Sequence, residues 1–413
     1  MKISFKNAFL YSNNHFVKTS FSILNNAIIP YCDSSDFEVY DCEGMYIFPG
    51  FVDVHVHLRE PGFSYKETVA TGTDAAVSSG YTALCTMPNL KPVPDNYENL
   101  KIQLDIISKD AKCKVVPFAS ITKGQNGEEL SDMVGVSEFV SGFSDDGKGV
   151  QNEDMMRNAM KKAKELGKII SAHCEDNSLL FGGVIHKGKF SEKTGIPGIC
   201  SESEYLPIER DVELAKETGV SYHVCHISTK ESVEIIRKAK KDGVDITCET
   251  APHYLVLNDE MIEDNGRFKM NPPIRSEEDR IALIEGIKDG TIDMIATDHA
   301  PHSFEEKSKG LVGSSMGVVG LETAFPVLYT KLVKKGIISL EKLIEIMSVK
   351  PSERFSLCRD GVNLCIYDLE SKYTVTPDLF KSMGKSSPFE EEEVFGKCMM
   401  TVCDGNVVYN QMK

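Results

Sequence analysis

The segment FVDVHVHLREPG, residues 51–62, carries residue types that could bind a metal ion. Side chains alternate between the two faces of a β-strand, so Asp53, His55 and His57 would share one face. Two imidazoles on one face can converge on a single cation. Asp53 lies below them, where it could accept a ring N–H or support the strand end. The segment predicts a strand ending at a metal site, although two half-buried structural histidines would give the same pattern.

Three further segments offer metal ligands in comparable positions. His173 stands in ISAHCED, His226 in HVCHIS and Asp298 in IATDHAPH, each at the end of an apolar run. Four imidazoles and one aspartate form a ligand set suited to zinc. A second carboxylate could bridge two ions, and FSDDGKG supplies both Asp145 and Asp146. Alternation along a strand does not choose between these two neighbours, so both stay candidates at this point.

The elements that would position these residues are eight apolar runs that alternate with helical patterns. We predict strands at residues 51–57, 81–87, 114–121, 138–145, 168–174, 220–227, 244–250 and 292–298. This alternation favours a parallel barrel, with a doubly wound sheet as the alternative. Seven runs end in or soon before a polar group, namely His55, His57, Asn89, Asp146, His173, His226, His253 and Asp298. Barrel enzymes place catalytic groups at the C-terminal ends of their strands, so this clustering favours the barrel.

The two ends of the chain have a different pattern from the middle. Residues 1–49 are typical of short strands with turns, and the C-terminal residues resemble them, with a hairpin signal at Asp404-Gly405. We therefore predict a barrel over residues 50–355. Residues 1–49 and 356–413 would together build one small composite β domain.

Composition restricts the classes of function. The formal net charge is −16, and no Lys/Arg-rich block offsets it, which argues against nucleic-acid binding. No apolar run approaches the roughly 20 residues that span a bilayer, and the first residues are too polar for a signal-peptide core. The twelve cysteines contain no C-x-x-C pair, so we expect free thiols in a reducing compartment. These features predict a soluble cytoplasmic protein that binds neither nucleic acid nor a membrane.

A set of longer motifs carries a resemblance to a known family. The motifs, in chain order, are HVHLREPG, MPNLKPVPD, FSDDG, AHCEDNSL, HVCHISTKES, KMNPPIR, DGTIDMIATDHAPH and VGLETAFP. Together they resemble the dihydroorotases of the long bacterial type, which belong to the amidohydrolase superfamily. The matching blocks span positions 55 to about 326. The resemblance implies a TIM-like (β/α)8 metal-dependent hydrolase barrel with a small composite β-sandwich domain from both termini.

The resemblance also implies a ligand set. His55 and His57 would hold one zinc ion with Asp298, and His173 and His226 would hold a second. Many amidohydrolases bridge the two ions with a carboxylated lysine, but FSDD contains no lysine, and Asp146 matches the family's aspartate bridge. We expect one or two zinc ions per subunit, with two favoured. A homodimer and a carbamoyltransferase partner are further expectations taken from the family.

The expected reaction is the reversible closure of carbamoyl-aspartate to dihydroorotate, a step of pyrimidine biosynthesis. Asp298 would act as the general acid and base. Arg59, Asn89 and His302 would bind the substrate carboxylate, Asn271 would contact the ring, and the backbone around Met316 and Gly317 would contact the pyrimidine. The polar residues 303–315, with two glycines, predict a mobile loop over the site or an ordinary surface loop.

Two other functions compete with this one. The first is another cyclic amidohydrolase, such as allantoinase or dihydropyrimidinase, although these usually carry the lysine bridge and lack the combination of HLREPG, PNLKPVPD and NPPIR. The second is a non-catalytic dihydroorotase-like subunit that only scaffolds a partner enzyme. Such a subunit should have lost metal ligands, whereas every predicted ligand is present here.

Overall fold

The computed structural model describes residues 2–358 and 360–412. The N-terminal strands are β1 (Lys2–Ser12), β2 (His15–Leu24), β3 (Ala27–Pro30), β4 (Glu38–Asp41) and β5 (Tyr46–Pro49). The central strands are β6 (Phe51–Val56), β7 (Tyr81–Thr86), β8 (Lys114–Pro117), β9 (Gly142–Phe143), β10 (Ile169–Ala172), β11 (Ile185–His186), β12 (Gly198–Ile199), β13 (Tyr222–Val224), β14 (Ile246–Thr250) and β15 (Met294–Ile295). The C-terminal strands are β16 (Leu364–Thr374), β17 (Glu393–Cys403) and β18 (Asn406–Asn410).

Helices lie between the central strands, and in the described residues five more follow β15 before the C-terminal strands begin. They are α1 (Val69–Ser78), α2 (Tyr97–Asp110), α3 (Met133–Val136), α4 (Glu153–Glu165), α5 (Lys189–Thr194), α6 (Glu202–Thr218), α7 (Lys230–Lys241), α8 (Pro252–Val256), α9 (Glu277–Asp289), α10 (Phe304–Lys307), α11 (Gly310–Gly313), α12 (Ala324–Leu328), α13 (Leu340–Ile344) and α14 (Lys350–Phe355). In the described part of the chain, none of them has the length and apolar character to cross a membrane.

Helix α7 shows how the sequence sets these elements. Its N-cap Thr229 accepts a hydrogen bond from the backbone N–H of Ser232, which satisfies one of the free donors of the first turn. Val233, Ile236 and Ala239 are buried at helical spacing. Three lysines stand in the last turn, where a positive charge is favourable next to the helix C-terminus. One face of the helix therefore packs on the barrel while the other stays in solvent.

The central strands form the predicted parallel barrel. Strands β6, β7 and β8 pair in parallel, as do β9, β10, β13, β14 and β15. Parallel bridges between Ala119 and Phe143 and between Val56 and His299 join the two groups into a closed ring. The fold predicted from the sequence is confirmed, and the C-terminal ends of all these strands meet at one rim.

Several strands are shorter than predicted. The run at 138–145 forms a strand only at Gly142–Phe143, because residues 137–139 form a helical turn after α3. The last run forms a strand only at Met294–Ile295. Both predictions were wrong in length but correct in position, so the residues that follow each run still reach the rim.

Strands from both ends of the chain build a second sheet. Its order in the described residues is β18-β17-β16-β5-β1-β2-β3, with β4 paired to β1. The N- and C-terminal parts meet where β5 pairs antiparallel with β16. Phe48 at this junction packs against Phe51, Phe325 and Tyr367, so one aromatic cluster ties the sheet to the barrel. The exact domain boundaries at 49/50 and 355/356 stay a prediction.

Candidate metal centre and active site

A polar cavity of about 200 Å³ opens at the rim formed by the C-terminal ends of the barrel strands. It is lined by His57, Arg59, Asn89, Asp146, Gly147, His173, His226, Asn271, Asp298, Ala300, His302, Met316 and Gly317. All the site residues predicted from the sequence line it except His55, whose fully buried ring lies behind Asp146. The structure thus brings together side chains from segments spread over more than half of the chain.

Asp146 occupies the centre of the histidine cluster. Its Oδ1 lies 3.3 Å from His55 Nε2 and 3.6 Å from both His173 Nδ1 and His226 Nε2. Its Oδ2 lies 3.5 Å from His57 Nε2. Two groups of potential ligands result, one with His55 and His57 and one with His173 and His226, and Asp146 belongs to both. This arrangement is the one a bridging carboxylate requires.

Asp298 lies on the side of His55 and His57. Its Oδ1 is 3.1 Å from His57 Nε2 and 3.5 Å from His55 Nε2. Burial would raise the pKa of Asp298, but the hydrogen bond with His57 and the charges of the nearby histidines lower that pKa to about 2. The carboxylate is therefore ionised at neutral pH, as both a metal ligand and a proton acceptor must be.

The donor atoms fit a cation. Ligand atoms about 2.1 Å from a tetrahedral ion are roughly 3.4 Å apart, and the contacts around Asp146 measure 3.3–3.6 Å. Among the described residues, His55 Nε2 and Asp146 Oδ1 are buried and have no hydrogen-bond partner although they face each other. Orphaned buried polar atoms are costly, and an ion between them would satisfy both.

Outer hydrogen bonds fix which nitrogen of each ring is free. His55 Nδ1 donates to Glu249 Oε1 at 2.7 Å, and His57 Nδ1 donates to Asn89 Oδ1 at 2.8 Å. These contacts engage Nδ1 of each ring, so Nε2, which faces Asp146 and Asp298, is the nitrogen that would bind a metal once it has given up any proton it carries. The amide of Asn89 also donates to Asp146 Oδ2 at 3.3 Å, so this residue orients two predicted ligands.

Glu249 is not among the residues predicted from the sequence. It lies on β14, is 1% exposed, and accepts from His223 Nε2 at 3.0 Å as well as from His55. Burial raises its pKa, but the two histidines lower that pKa to about 2, so both hydrogen bonds are charge-assisted. The sequence feature that could have identified Glu249 is the presence of a carboxylate inside the apolar run VDITCET, where charged residues are rare. His253, the rim histidine suggested for this strand, belongs to neither group of ligands around Asp146.

The two other aspartates discussed for this region have different surroundings. Asp145 accepts the backbone N–H groups of Ile121 and Thr122 at 2.8 and 3.2 Å, and also the Thr122 hydroxyl. Asp53 accepts the Thr297 hydroxyl at 2.6 Å and the Thr297 N–H at 3.2 Å. Asp145 thus anchors a loop, and Asp53 holds the backbone immediately before Asp298. Asp53 was expected either to accept a ring N–H of a histidine or to support the strand end, and these contacts are of the second kind.

Arg59 and His302 form a polar wall of the cavity. Arg59 is 9% exposed, and its Nε donates to the Pro301 carbonyl at 3.1 Å. His302 Nε2 lies 2.8 Å from the Met316 carbonyl and must donate to it. Burial and the nearby Arg59 and Lys66 lower the pKa of His302 to about 3, so the ring is neutral. Arg59 therefore supplies the positive charge of this wall.

Gly317 allows the backbone after Met316 to lie close to His302 and Ala300. Its φ is +131°, and a Cβ atom there would lie 2.7 Å from the Ala300 carbonyl oxygen and 3.1 Å from the His302 ring. Only glycine fits both the conformation and the space. The preceding residues 303–315 are folded into α10 and α11, and buried Lys307 donates to the carbonyls of Lys269 and Ser315 at 2.9 and 2.8 Å. The mobility of this segment stays a prediction.

Three of these residues have left-handed backbone conformations. The φ angles are +62° for Arg59, +33° for His226 and +47° for Asp298. Such conformations cost a residue with a side chain about 1–3 kcal/mol. Each residue follows the end of a barrel strand, where the chain leaves the sheet. The fold accepts this strain at the points where side chains turn towards the cavity.

Comparisons with known proteins point to one family. The sequence profile described as "Dihydro-orotase-like" matches residues 44–232. The chain is 48% identical over 414 aligned positions to a dihydroorotase of Fusobacterium nucleatum, with 98% of this chain and 97% of that protein covered. It is 49% identical to a dihydroorotase of Listeria monocytogenes, with 94% and 92% covered.

Solved structures agree on the architecture. An L-hydantoinase (dihydropyrimidinase) from Arthrobacter aurescens superposes with a TM-score of 0.86 at 25% identity, covering 100% of this chain and 96% of that one. A dihydropyrimidinase from Brevibacillus agri gives the same TM-score at 22% identity, with the same coverage. These structures share the fold of a barrel with an attached β domain. The two dihydroorotases, similar over nearly the whole length, show that this chain belongs to the dihydroorotase family.

Proposed function

We propose that this protein is a zinc-dependent dihydroorotase that interconverts carbamoyl-aspartate and dihydroorotate in pyrimidine biosynthesis. The observation that carries the proposal is the placement of Asp146 among four histidines, with Asp298 and Arg59 in the same cavity. The near-full-length similarity to proteins named dihydroorotase supports it. The relevant chemistry is hydrolysis of a cyclic amide, and its reversal.

The proposed metal site holds two zinc ions. His55, His57 and Asp298 would bind one ion, His173 and His226 the other, and Asp146 both. A divalent cation in such a site supplies Lewis acidity, which polarises a carbonyl group and makes water more acidic. The two carboxylates offset only part of four positive charges, which favours an anionic substrate in a protein with a net charge of −16.

Asp298 is the proposed proton carrier. Its carboxylate lines the cavity and is ionised at neutral pH, so it can remove a proton from the attacking water. The same group then delivers that proton to the ring nitrogen that leaves. In the ring-closing direction it takes the proton from this nitrogen. The Asp53–Thr297 contacts hold the backbone beside Asp298 and restrict its position.

Arg59 is the proposed partner of the substrate carboxylate. Its Nε is engaged by Pro301, and the remaining guanidinium N–H groups can form a bidentate pair. Asn89 and His302 line the same region, but the outer contacts described above occupy part of their hydrogen-bonding capacity. The family resemblance places His302 at the carboxylate, but its ring is neutral and its Nε2–H is engaged by Met316, so we propose instead that His302 and the Met316–Gly317 backbone contact uncharged parts of the substrate.

Replacing Arg59 with lysine should raise the KM for dihydroorotate about 10-fold or more, with a smaller change in kcat. Lysine keeps the charge but loses the planar fork, and a hydrogen bond between charged groups contributes about 1.5–3 kcal/mol. Steady-state kinetics on zinc-loaded enzyme measure this change. The surface variant Arg157→Lys is the control. An unchanged KM in Arg59→Lys would remove Arg59 from the carboxylate site.

The proposed function is tested by two measurements on the same purified protein. We expect about two zinc ions per chain by mass spectrometry, and zinc-dependent opening of dihydroorotate followed by ultraviolet absorbance. Hydantoin and allantoin, which lack the carboxylate of dihydroorotate, are the comparison substrates and should react far more slowly. A zinc-loaded protein without dihydroorotate turnover would refute the proposal. Preferred hydrolysis of allantoin or hydantoin would indicate another cyclic amidohydrolase, and no hydrolysis at all would favour a scaffold subunit.

The assembly of the protein stays a prediction from the family resemblance. A homodimer, a carbamoyltransferase partner and a cytoplasmic location are part of the proposed function. A small-molecule substrate is consistent with the family to which the chain belongs.

A further inference from the structure

Glu175 is a carboxylate of the site for which neither the sequence motifs nor the mechanism above has a role. It follows His173 by two residues, and its side chain is 12% exposed. One carboxylate oxygen, Oε1, accepts a hydrogen bond from Asn271 Nδ2 at 2.7 Å. The other, Oε2, lies 3.5 Å from His173 Nε2. A single side chain thus contacts one predicted metal ligand and one predicted substrate contact.

The contact with Asn271 determines the orientation of an amide. An ionised carboxylate only accepts hydrogen bonds, so the NH₂ group of Asn271, and not its oxygen, must face Glu175. In the structure Nδ2 of Asn271 makes the 2.7 Å contact with Glu175, as this requirement predicts. Asn271 lines the cavity, and no described residue donates a hydrogen bond to its oxygen. The oxygen is therefore left as an acceptor for a ligand.

We propose that Glu175 is a positioning residue that holds the Asn271 oxygen ready to accept a ring N–H of the substrate. The inference rests on the proposed function and extends it, because it identifies a ring N–H as the group of the substrate that Asn271 recognises. Cyclic ureides, in which a ring nitrogen carries a hydrogen atom, provide the matching donor. A ring with a carbonyl oxygen or an alkylated nitrogen at that point would leave the Asn271 oxygen unpaired, which costs binding energy.

The contact with His173 links this recognition to the ligand cluster. His173 Nδ1 lies 2.9 Å from His226 Nε2 and 3.6 Å from Asp146 Oδ1, so Nε2 is the ring nitrogen on the side of Glu175. At 3.5 Å this contact is much longer than the one to Asn271. The geometry therefore assigns the main effect of Glu175 to substrate binding through Asn271, and a smaller one to the orientation of His173.

Two variants and a control separate these effects. In Glu175→Ala, the Asn271 amide is free to rotate, so we expect the KM for dihydroorotate to rise about 10- to 100-fold, with a smaller change in kcat and with zinc content retained. Glu175→Gln still offers an oxygen to the Asn271 NH₂ group and should restore most of the KM. The control is Glu192→Ala, an exposed glutamate whose side chain contacts no described residue by a hydrogen bond or ion pair.

A double-mutant cycle with Asn271→Ala tests whether Glu175 acts through Asn271. If it does, the double variant should have the same kcat/KM as Asn271→Ala alone, within about 2-fold. The inference would be overturned if the losses in kcat/KM of the two single variants multiplied in the double variant. An unchanged KM in Glu175→Ala would also overturn it, as would a loss of zinc that accounts for the whole defect. Absence of dihydroorotate turnover in the wild type and in Glu192→Ala alike would instead refute the proposed function, and the inference with it.

Discussion

Replacing Asp298 with asparagine is expected to lower kcat for dihydroorotate by about 10²- to 10⁴-fold. Asparagine has nearly the same shape, but its amide cannot take up a proton at neutral pH. The Asp53–Thr297 contacts that hold the adjacent backbone involve no atom of the Asp298 side chain, so the strand end should keep its conformation. Rates of ring opening and ring closing should fall together, because one group serves both directions.

Zinc content and thermal stability must accompany that rate. His55, His57, Asp146, His173 and His226 remain in the variant, so we expect it to retain most of its zinc. Asp242→Asn, a surface substitution, serves as the matched control and should behave like the wild type. A variant that keeps more than a tenth of the wild-type kcat would show that Asp298 is not the proton carrier. A variant without zinc would show that its main role is that of a ligand.

The second large effect is expected from Asp146, and its neighbour provides the comparison. Asp146→Asn removes the negative charge from the centre of four histidines, so zinc content should fall and kcat should drop at least 10³-fold. Asp145→Asn should keep both zinc and most activity. We expect this substitution to lower the free energy of unfolding by about 1–3 kcal/mol, because the Asp145 carboxylate accepts buried hydrogen bonds from the backbone of residues 121 and 122.

Metal analysis, kinetics and urea unfolding distinguish the two variants directly. We expect Asp146→Asn to lose more zinc than Asp145→Asn. In the absence of metal, we expect Asp145→Asn to lose more of the free energy of unfolding than Asp146→Asn. If Asp145→Asn lost its zinc while Asp146→Asn retained it, the assignment of the bridging carboxylate would have to be reversed.

The success and failure of the sequence predictions have physical causes. The eight barrel strands could be located because each is a buried run between helical patterns, and a buried run is visible in one stretch of sequence. The lengths of these strands could not be predicted, because a strand extends only as far as it pairs with a neighbouring strand that is distant in the chain. At 138–145 a local helical turn takes the place of half of the predicted strand.

The same distinction applies to the site. His55, His57, His173, His226 and Asp298 stand at the ends of apolar runs, so their common rim follows from the barrel. The choice between Asp145 and Asp146 requires the three-dimensional structure, because neighbouring residues at a strand end leave the sheet in opposite directions. Glu249 and Glu175 were not predicted for a related reason. A glutamate is typical of surfaces, and nothing local shows that its partner is a histidine or an asparagine brought close by the fold.

The sheet shared by both ends of the chain has a consequence for the order of folding during synthesis. Every strand of the barrel precedes Leu364, whereas β5 receives its partner β16 only after that residue. On the ribosome, the barrel can therefore close while the N-terminal strands still present an unpaired edge and half of a core, because Ile3 and Phe5 pack with Ile366 and Met400. Exposed strand edges promote aggregation. The interval before the last strands emerge is thus the stage at which a chaperone would matter most to this protein.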